Sequence, residues 1–224
     1  MKVGILFEGT PQNPGGFNQS LKSAENIYGL SNKNNLIEII VFDEDCINVL
    51  NSKKIKTKKF NFTLLSKLFN FLFHFDTFKN LITNYKIKHP FLRFIEKNRY
   101  DLIIFLSPHE LCFHCGKTNF VINIWDIDHK KNSPYPEHRK NYNFLKREFF
   151  LNYALFHSYE IIVPEKQTKD DLIELYKCNE SKINVQPFIS TLPGEYERGK
   201  NKNCDYSKIF DKLNLPKEKK IIFY

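Results

Sequence analysis

The sequence predicts an α/β protein: a Rossmann-like open parallel sheet with helices on both faces. Short apolar runs rich in strand-forming residues recur over roughly 185 residues. These runs are continuous, not alternating, as expected of strands covered on both sides in a parallel sheet. The segments between several of them are long enough to be crossover helices.

The first strand is read over residues 2–7 (KVGILF), stopped by Glu8, Gly9, Thr10 and Pro11. A loop through Asn13, Pro14, Gly15 and Gly16 leads into a helix over 17–28, where Leu21, Ala24 and Tyr28 share one face. Further strands are expected over 36–42, 102–106, 120–125, 160–163 and 183–186, with helices over 139–157 and 166–176. Two stretches break this rhythm. Residues 60–78 hold seven of the 22 Phe and suit a helix with Leu65, Leu68, Leu72 and Phe75 along one face. That face either packs on the sheet, the reading favoured for folding, or lies on a bilayer beside the upstream lysines. At the far end, 215–220 is a polar turn and 221–224 (IIFY) opens like another buried strand. This predicts one Rossmann-like domain over 1–214. It makes 215–224 a linker and the first strand of a second domain.

Composition narrows the classes. A chain of 224 residues with 42% hydrophobic and 26% charged residues is too apolar for a disordered one, and 8 Gly exclude a collagen-like repeat. The most apolar stretch, 64–75, is interrupted by Ser66, Lys67, Asn70 and His74, whereas a membrane-spanning helix needs about 20 apolar residues. Only five apolar residues separate Lys2 from Glu8, short of the roughly 7–15 of an export signal. Five cysteines without a framework spacing suit a reducing compartment. A cytoplasmic protein is expected. The net charge is +9, and no acid lies between Asp45 and Asp76, a span holding Lys53, Lys54, Lys56, Lys58, Lys59 and Lys67. Such a patch suits a solvated face or anionic lipid. No nucleic-acid motif accompanies it, so nucleic acid is not an expected partner.

Three constellations carry possible chemistry. In an open α/β sheet, ligands sit beyond the carboxyl ends of the strands, where a glycine turn lets backbone approach phosphate. Gly15 and Gly16 fit that use or an ordinary loop, and their spacing is not that of a dinucleotide fingerprint. Trp125, Asp126, Asp128 and His129 follow a strand directly and can line a cleft, with an imidazole able to exchange a proton near neutral pH. The plainer alternative has an Asp capping a turn and His129 at the surface. The third, His109-x-x-Cys112-x-His114-Cys115, invites zinc, but the usual second ligand pair is missing. On a helix His114 would also leave the face shared by Cys112 and Cys115. The expectation is a short loop–helix element with buried thiols and no metal.

The order of these pieces resembles a known family. The first strand with Gly15-Gly16 is followed by YDLIIFLSP (100–108), NFVINIWDIDH (119–129) with Pro136 and Glu137 downstream, IIVP (161–164) and KINVQPF (182–188). Together they resemble the N-terminal half of a family 4 glycosyltransferase of the GT-B fold. The resemblance implies two Rossmann-like domains facing across a cleft, the N-terminal one holding most of the acceptor and the other the nucleotide-sugar donor. It implies sugar transfer with retention of configuration, without a bound metal or other cofactor, onto a saccharide or lipid-linked acceptor in surface-glycan assembly. Peripheral contact with the inner face of the cell membrane would accompany such an acceptor. By position, Gly15 and Gly16 match the loop near the donor diphosphate, with Phe17 beside them a further substrate-binding candidate; Asp126 matches the aspartate of the family's His-Asp pair, and His129 a second histidine. Asp126 and His129 are therefore the catalytic candidates. Trp125 stands where the family's histidine would be and suits stacking on a sugar face. The rival expectations are a non-catalytic module that docks a membrane or partner, and a stand-alone flavodoxin-like nucleotide binder.

Overall fold

Seven strands, all parallel, form one sheet in the order β3-β2-β1-β4-β5-β6-β7. The computed structural model describes residues 1–9, 14–73, 75, 87–131 and 142–189. The expectations for residues 215–224 and for Pro136 and Glu137 lie outside these. Residues Met1–Ile189 make one compact unit.

The strands are β1 Lys2–Leu6, β2 Leu36–Val41, β3 Thr57–Lys59, β4 Leu102–Phe105, β5 Asn119–Asn123, β6 Glu160–Val163 and β7 Ile183–Val185. The chain winds outward from β1 through helices α1 (Pro14–Tyr28) and α2 (Glu44–Ser52) to β2 and β3. It then returns past β1 through α3 (Leu64–Phe73) and α4 (Pro90–Asn98) to start β4 on the other side. A 3-10 turn (Glu110–His114) and helices α5 (Asp128–Lys131), α6 (Asn143–His157) and α7 (Lys166–Tyr176) carry it on to β7. Because parallel crossovers are right-handed, this reversal puts α1 and α2 on one face and the remaining helices on the other.

Two cores result. On one face Val3, Ile5, Ile37, Ile39 and Val41 meet Phe17 and Ala24 of α1 and Cys46 and Leu50 of α2. On the other, Ile40, Ile103, Phe105, Ile122, Ile161 and Val163 pack against Phe91 and Ile95 of α4, Leu151 and Ala154 of α6 and Leu172 of α7. Gly4 is needed between strands: a Cβ there would lie 2.8 Å from Ile40 Cδ1 and 3.3 Å from the Tyr100 ring. The space admits Tyr100, whose hydroxyl donates to the buried Glu38 carboxylate at 2.8 Å, with Lys2 Nζ 3.1 Å away. Burial works against that charge, but these donors hold the Glu38 carboxyl below its ordinary pKa.

All six strands expected within residues 1–189 are present, and 160–163 and the helix over 166–176 match residue for residue. The third strand, Thr57–Lys59, has no apolar run because it is a short sheet edge with both lysines exposed. Helix α2 gives a clear local signal only at its start, where Asp43 accepts from the Cys46 N–H at 2.8 Å.

Helix α3 corrects the expectation for the Phe-rich stretch. It buries Ser66, Asn70 and Phe73, and leaves Leu65 and Leu68 about half exposed, at 52% and 50%. Its inward face is held by polar contacts. Buried His89 accepts from the Phe91 N–H through Nδ1 at 2.9 Å, which leaves its Nε2–H to point at the Ser66 carbonyl at 3.3 Å. His114 Nε2–H donates to Asn70 Oδ1 at 2.9 Å, and the two imidazoles stack 3.8 Å apart. Phe73 completes the face, stacked on Phe113.

Burial holds His89 at a pKa of about 4 and His114 at about 2, the latter also disfavoured by its neighbour. Below the ordinary histidine pKa near 6.5 the unfolded chain takes up protons that these folded imidazoles refuse. Their stabilisation is therefore complete above pH 6.5 and is lost as pH falls toward 4. Urea titrations at successive pH values should show the unfolding midpoint dropping across that window. In His114→Gln, which keeps an amide donor for Asn70, the slope should flatten by about one proton. An unchanged slope would remove His114 from the effect.

Candidate functional site

The reversal of winding between β1 and β4 opens a crevice at the carboxyl end of the sheet, the place where open α/β sheets bind ligands. Glu8, after β1, and Ser107 and His109, after β4, meet there. Ser107 Oγ donates to Glu8 Oε2 at 3.2 Å. His109 Nδ1 accepts from the Leu111 N–H at 3.0 Å, so its proton sits on Nε2, 3.8 Å from Glu8 Oε1. The imidazole stacks on Phe42 at 5.5 Å, and burial holds it neutral down to a pKa of about 4. Partial desolvation raises the Glu8 carboxyl, offset in part by the Ser107 hydroxyl. Gly9 follows at φ +147°, a conformation side chains rarely adopt, and its carbonyl accepts from Cys46 Sγ. A half-exposed carboxyl faced by a hydroxyl and an oriented imidazole can hold and polarise a ligand hydroxyl.

Beside this crevice the chain builds a second cleft along α1. Trp125 leaves β5 with its indole N–H donating to the Leu106 carbonyl at 3.2 Å, and its ring lies edge-on to Phe188. A Cβ on Gly16 would meet the indole at 3.2 Å, so the helix start approaches the ring as closely as a glycine allows. Gln19 and Ser23 of α1, Asn123, Gln186 and Phe188 complete the walls. The Asn123 amide donates to Leu106 O, while its buried Oδ1 has no partner among the described residues. An aromatic ring among amides and hydroxyls offers apolar contact and hydrogen bonds, the complement of a sugar face and its hydroxyls.

The structure thus brings Gly16 and Trp125 together. Gly15 next to them is exposed, with open space where a Cβ would be. Phe17 is buried in the α1 core, edge-to-face with Phe7 at 5.5 Å. Asp126 and His129 lie elsewhere. Asp126 pairs with Arg147 of α6 and accepts from the Asp128 N–H, on the wall of a shallow pocket with Pro108 and Phe150. His129 is fully buried, its Nε2 2.9 Å from Glu148 Oε1. Glu148 also accepts from the Tyr176 hydroxyl and from Lys130 Nζ at 2.7 Å. Burial lowers the His129 pKa against the pull of Glu148, and the bonded carboxylate is held below its ordinary range by Lys130, Tyr176 and His129 in spite of its own burial. This cluster ties α5, α6 and α7 together behind β5.

Cys112, within the 3-10 turn, and Cys115, at its end, are buried in the core, and that burial raises the pKa of both thiols. His109 and His114 point to different partners. Among the described residues no group of three or more His, Cys, Asp and Glu is placed to hold a metal ion. Glu8, Ser107 and His109 were missed as a group in the sequence. The signal was available in their positions directly after two apolar strands, but not in any spacing between them.

No protein-family model matches the chain, and no curated protein does. Several solved structures match by fold, two of them as follows. One is a glycosyltransferase from Rickettsia africae, 14% identical, with a TM-score of 0.50 over 97% of this chain and 50% of that one. The other is a UDP-GlcNAc 2-epimerase from Neisseria meningitidis bound to UDP-GlcNAc, 14% identical, with a TM-score of 0.55 over 95% and 54%. What the chain shares with them is the Rossmann-like α/β fold. The chain spans about half the length of each of these two.

Trp125 is the one tryptophan of the sequence, which makes the cleft directly observable. Gly16→Ala should push the ring aside by a few tenths of an ångström and shift its emission, with melting temperature little changed. Emission identical to wild type would show that the helix start does not touch the indole.

Proposed function

We propose that the chain is the acceptor-side, Rossmann-like half of a retaining, family 4-like glycosyltransferase of GT-B architecture. In this reading residues 1–214 form that half, and 215–224 lead into a donor-binding domain. It acts on the cytoplasmic side in surface-glycan or lipopolysaccharide assembly. The juxtaposition of Gly16 with Trp125 at the carboxyl rim carries the reading. The sequence resemblance supports it, as does the fold shared with half of a glycosyltransferase and half of an epimerase bound to UDP-GlcNAc.

Sugar transfer passes through an oxocarbenium-like centre with a departing diphosphate. Backbone N–H groups of Gly15 and Gly16, in the first turn of α1, would face that charge without a side chain of their own intervening. The acceptor sugar would lie on Trp125, with Ser23 and Gln186 of the cleft walls to meet its hydroxyls. Glu8, with His109 oriented behind it, would hold the reacting hydroxyl in line. Asp126, ion-paired with Arg147, would be the catalytic residue that the resemblance implies. His129 takes the part of a positioning residue, since its imidazole reaches Glu148 inside the fold.

In the complete enzyme, Trp125→Ala should raise acceptor KM about tenfold, the scale of one lost aromatic stacking contact, with donor KM unchanged. Acceptor kinetics that do not move would sink the role of the indole. The 224-residue chain alone should turn over no nucleotide sugar, and robust transfer by it would overturn the division into two halves.

A further inference from the structure

We propose that helix α3 docks the protein on an anionic lipid bilayer. This goes beyond the sugar-transfer reading and does not depend on it. Helix α3 presents Leu64, Leu65, Leu68 and Phe71 outward, exposed at 83%, 52%, 50% and 62%. At 100° per residue these four fall within one stripe, and Lys67 flanks it. Burial of this stripe inside the fold is blocked by what holds the opposite face. Turning the helix over would leave the His89 and His114 N–H groups, now bonded to Ser66 and Asn70, without acceptors in the core. The outward orientation is therefore built in.

Charge selects the occupant. Residues 46–75 contain no Asp or Glu but six Lys, and Lys54, Lys56, Lys58 and Lys67 are exposed. An apolar stripe flanked by Lys67, on a stretch of chain without acids, is complementary to a surface with apolar depth beneath negative headgroups, where buried area and electrostatic attraction add. Among the described residues no helix is long and apolar enough to cross a membrane, so contact through α3 is contact with the surface. The short link from β3 to α3 is pinned by Phe60, packed on Phe91 and Phe94, and by Thr63, whose hydroxyl accepts from the Ser66 N–H. The stripe thus stands on a rigid base at the sheet's carboxyl end, the end that carries Glu8 and Trp125.

The test is sedimentation of the 224-residue chain with vesicles of phosphatidylcholine alone or with about a third phosphatidylglycerol. Binding is expected to the anionic vesicles and to weaken in high salt. Leu64→Ser/Leu68→Ser/Phe71→Ser should lower the partition coefficient about tenfold or more, and Lys67→Glu about fivefold or more. Circular dichroism and melting temperature should stay those of the wild type, because the substituted side chains face solvent. Wild-type partitioning that is equally low on both vesicles, or a triple variant that binds as well as wild type, would overturn the proposal. So would a dimer that the triple variant converts to monomer with no vesicle binding, which would make a second copy the occupant.

Discussion

A parallel sheet buries both faces only if its crossovers supply helices to each, and right-handed crossovers do so only if the winding reverses. Here the reversal falls between β1 and β4, neighbours in the sheet separated by some hundred residues of chain. The two strands are joined by backbone pairing from Val3↔Leu102 to Leu6↔Phe105, and the Asp101 carboxylate caps the seam by accepting from the Lys2 N–H. The two apolar cores, the crevice at the carboxyl rim and the convergence of Glu8 with His109 all follow from this pairing. Without it, the residues after β1 and those after β4 have no reason to meet.

At that rim, chemistry is arranged by small local constraints. Gly9 turns the chain where a side chain would be strained, and Gly16 lets the start of α1 reach an indole ring. His109 is fixed in one tautomer by a backbone N–H, so its remaining proton faces a carboxyl. Each device orients a polar group or opens space before any ligand arrives, which is how a site lowers the cost of ordering at binding. His129, in contrast, is absorbed into a buried cluster with Glu148 and Tyr176 that joins three helices. The cluster includes α5, which begins just after Trp125 and Asp126.

Helix α3 shows a different balance. Hydrophobic burial alone would turn its leucines inward, yet the side facing the interior is the one that offers the Ser66 carbonyl and the Asn70 amide oxygen to two neutral imidazoles. Polar satisfaction in the core thereby displaces apolar area to the surface. The same histidines make the attachment of this helix sensitive to acid, since protonating either would place a charge within the core.

Hydrophobic runs along the chain were sufficient to establish the α/β class, six of the strands, most of α1 and α7, and the rim position of Gly16 and Trp125. Each depends on neighbours within a few residues, so local period and turn residues report it. The lysine-bearing edge strand Thr57–Lys59, the inward face of α3 and the grouping of Glu8, Ser107 and His109 were decided by the tertiary structure. An edge strand needs no apolar pattern because one side meets water, and a helix's periodicity tells which side chains share a face but not which face the core will accept. Glu8 and His109 stand 101 positions apart, and only the pairing of β1 with β4 makes them neighbours.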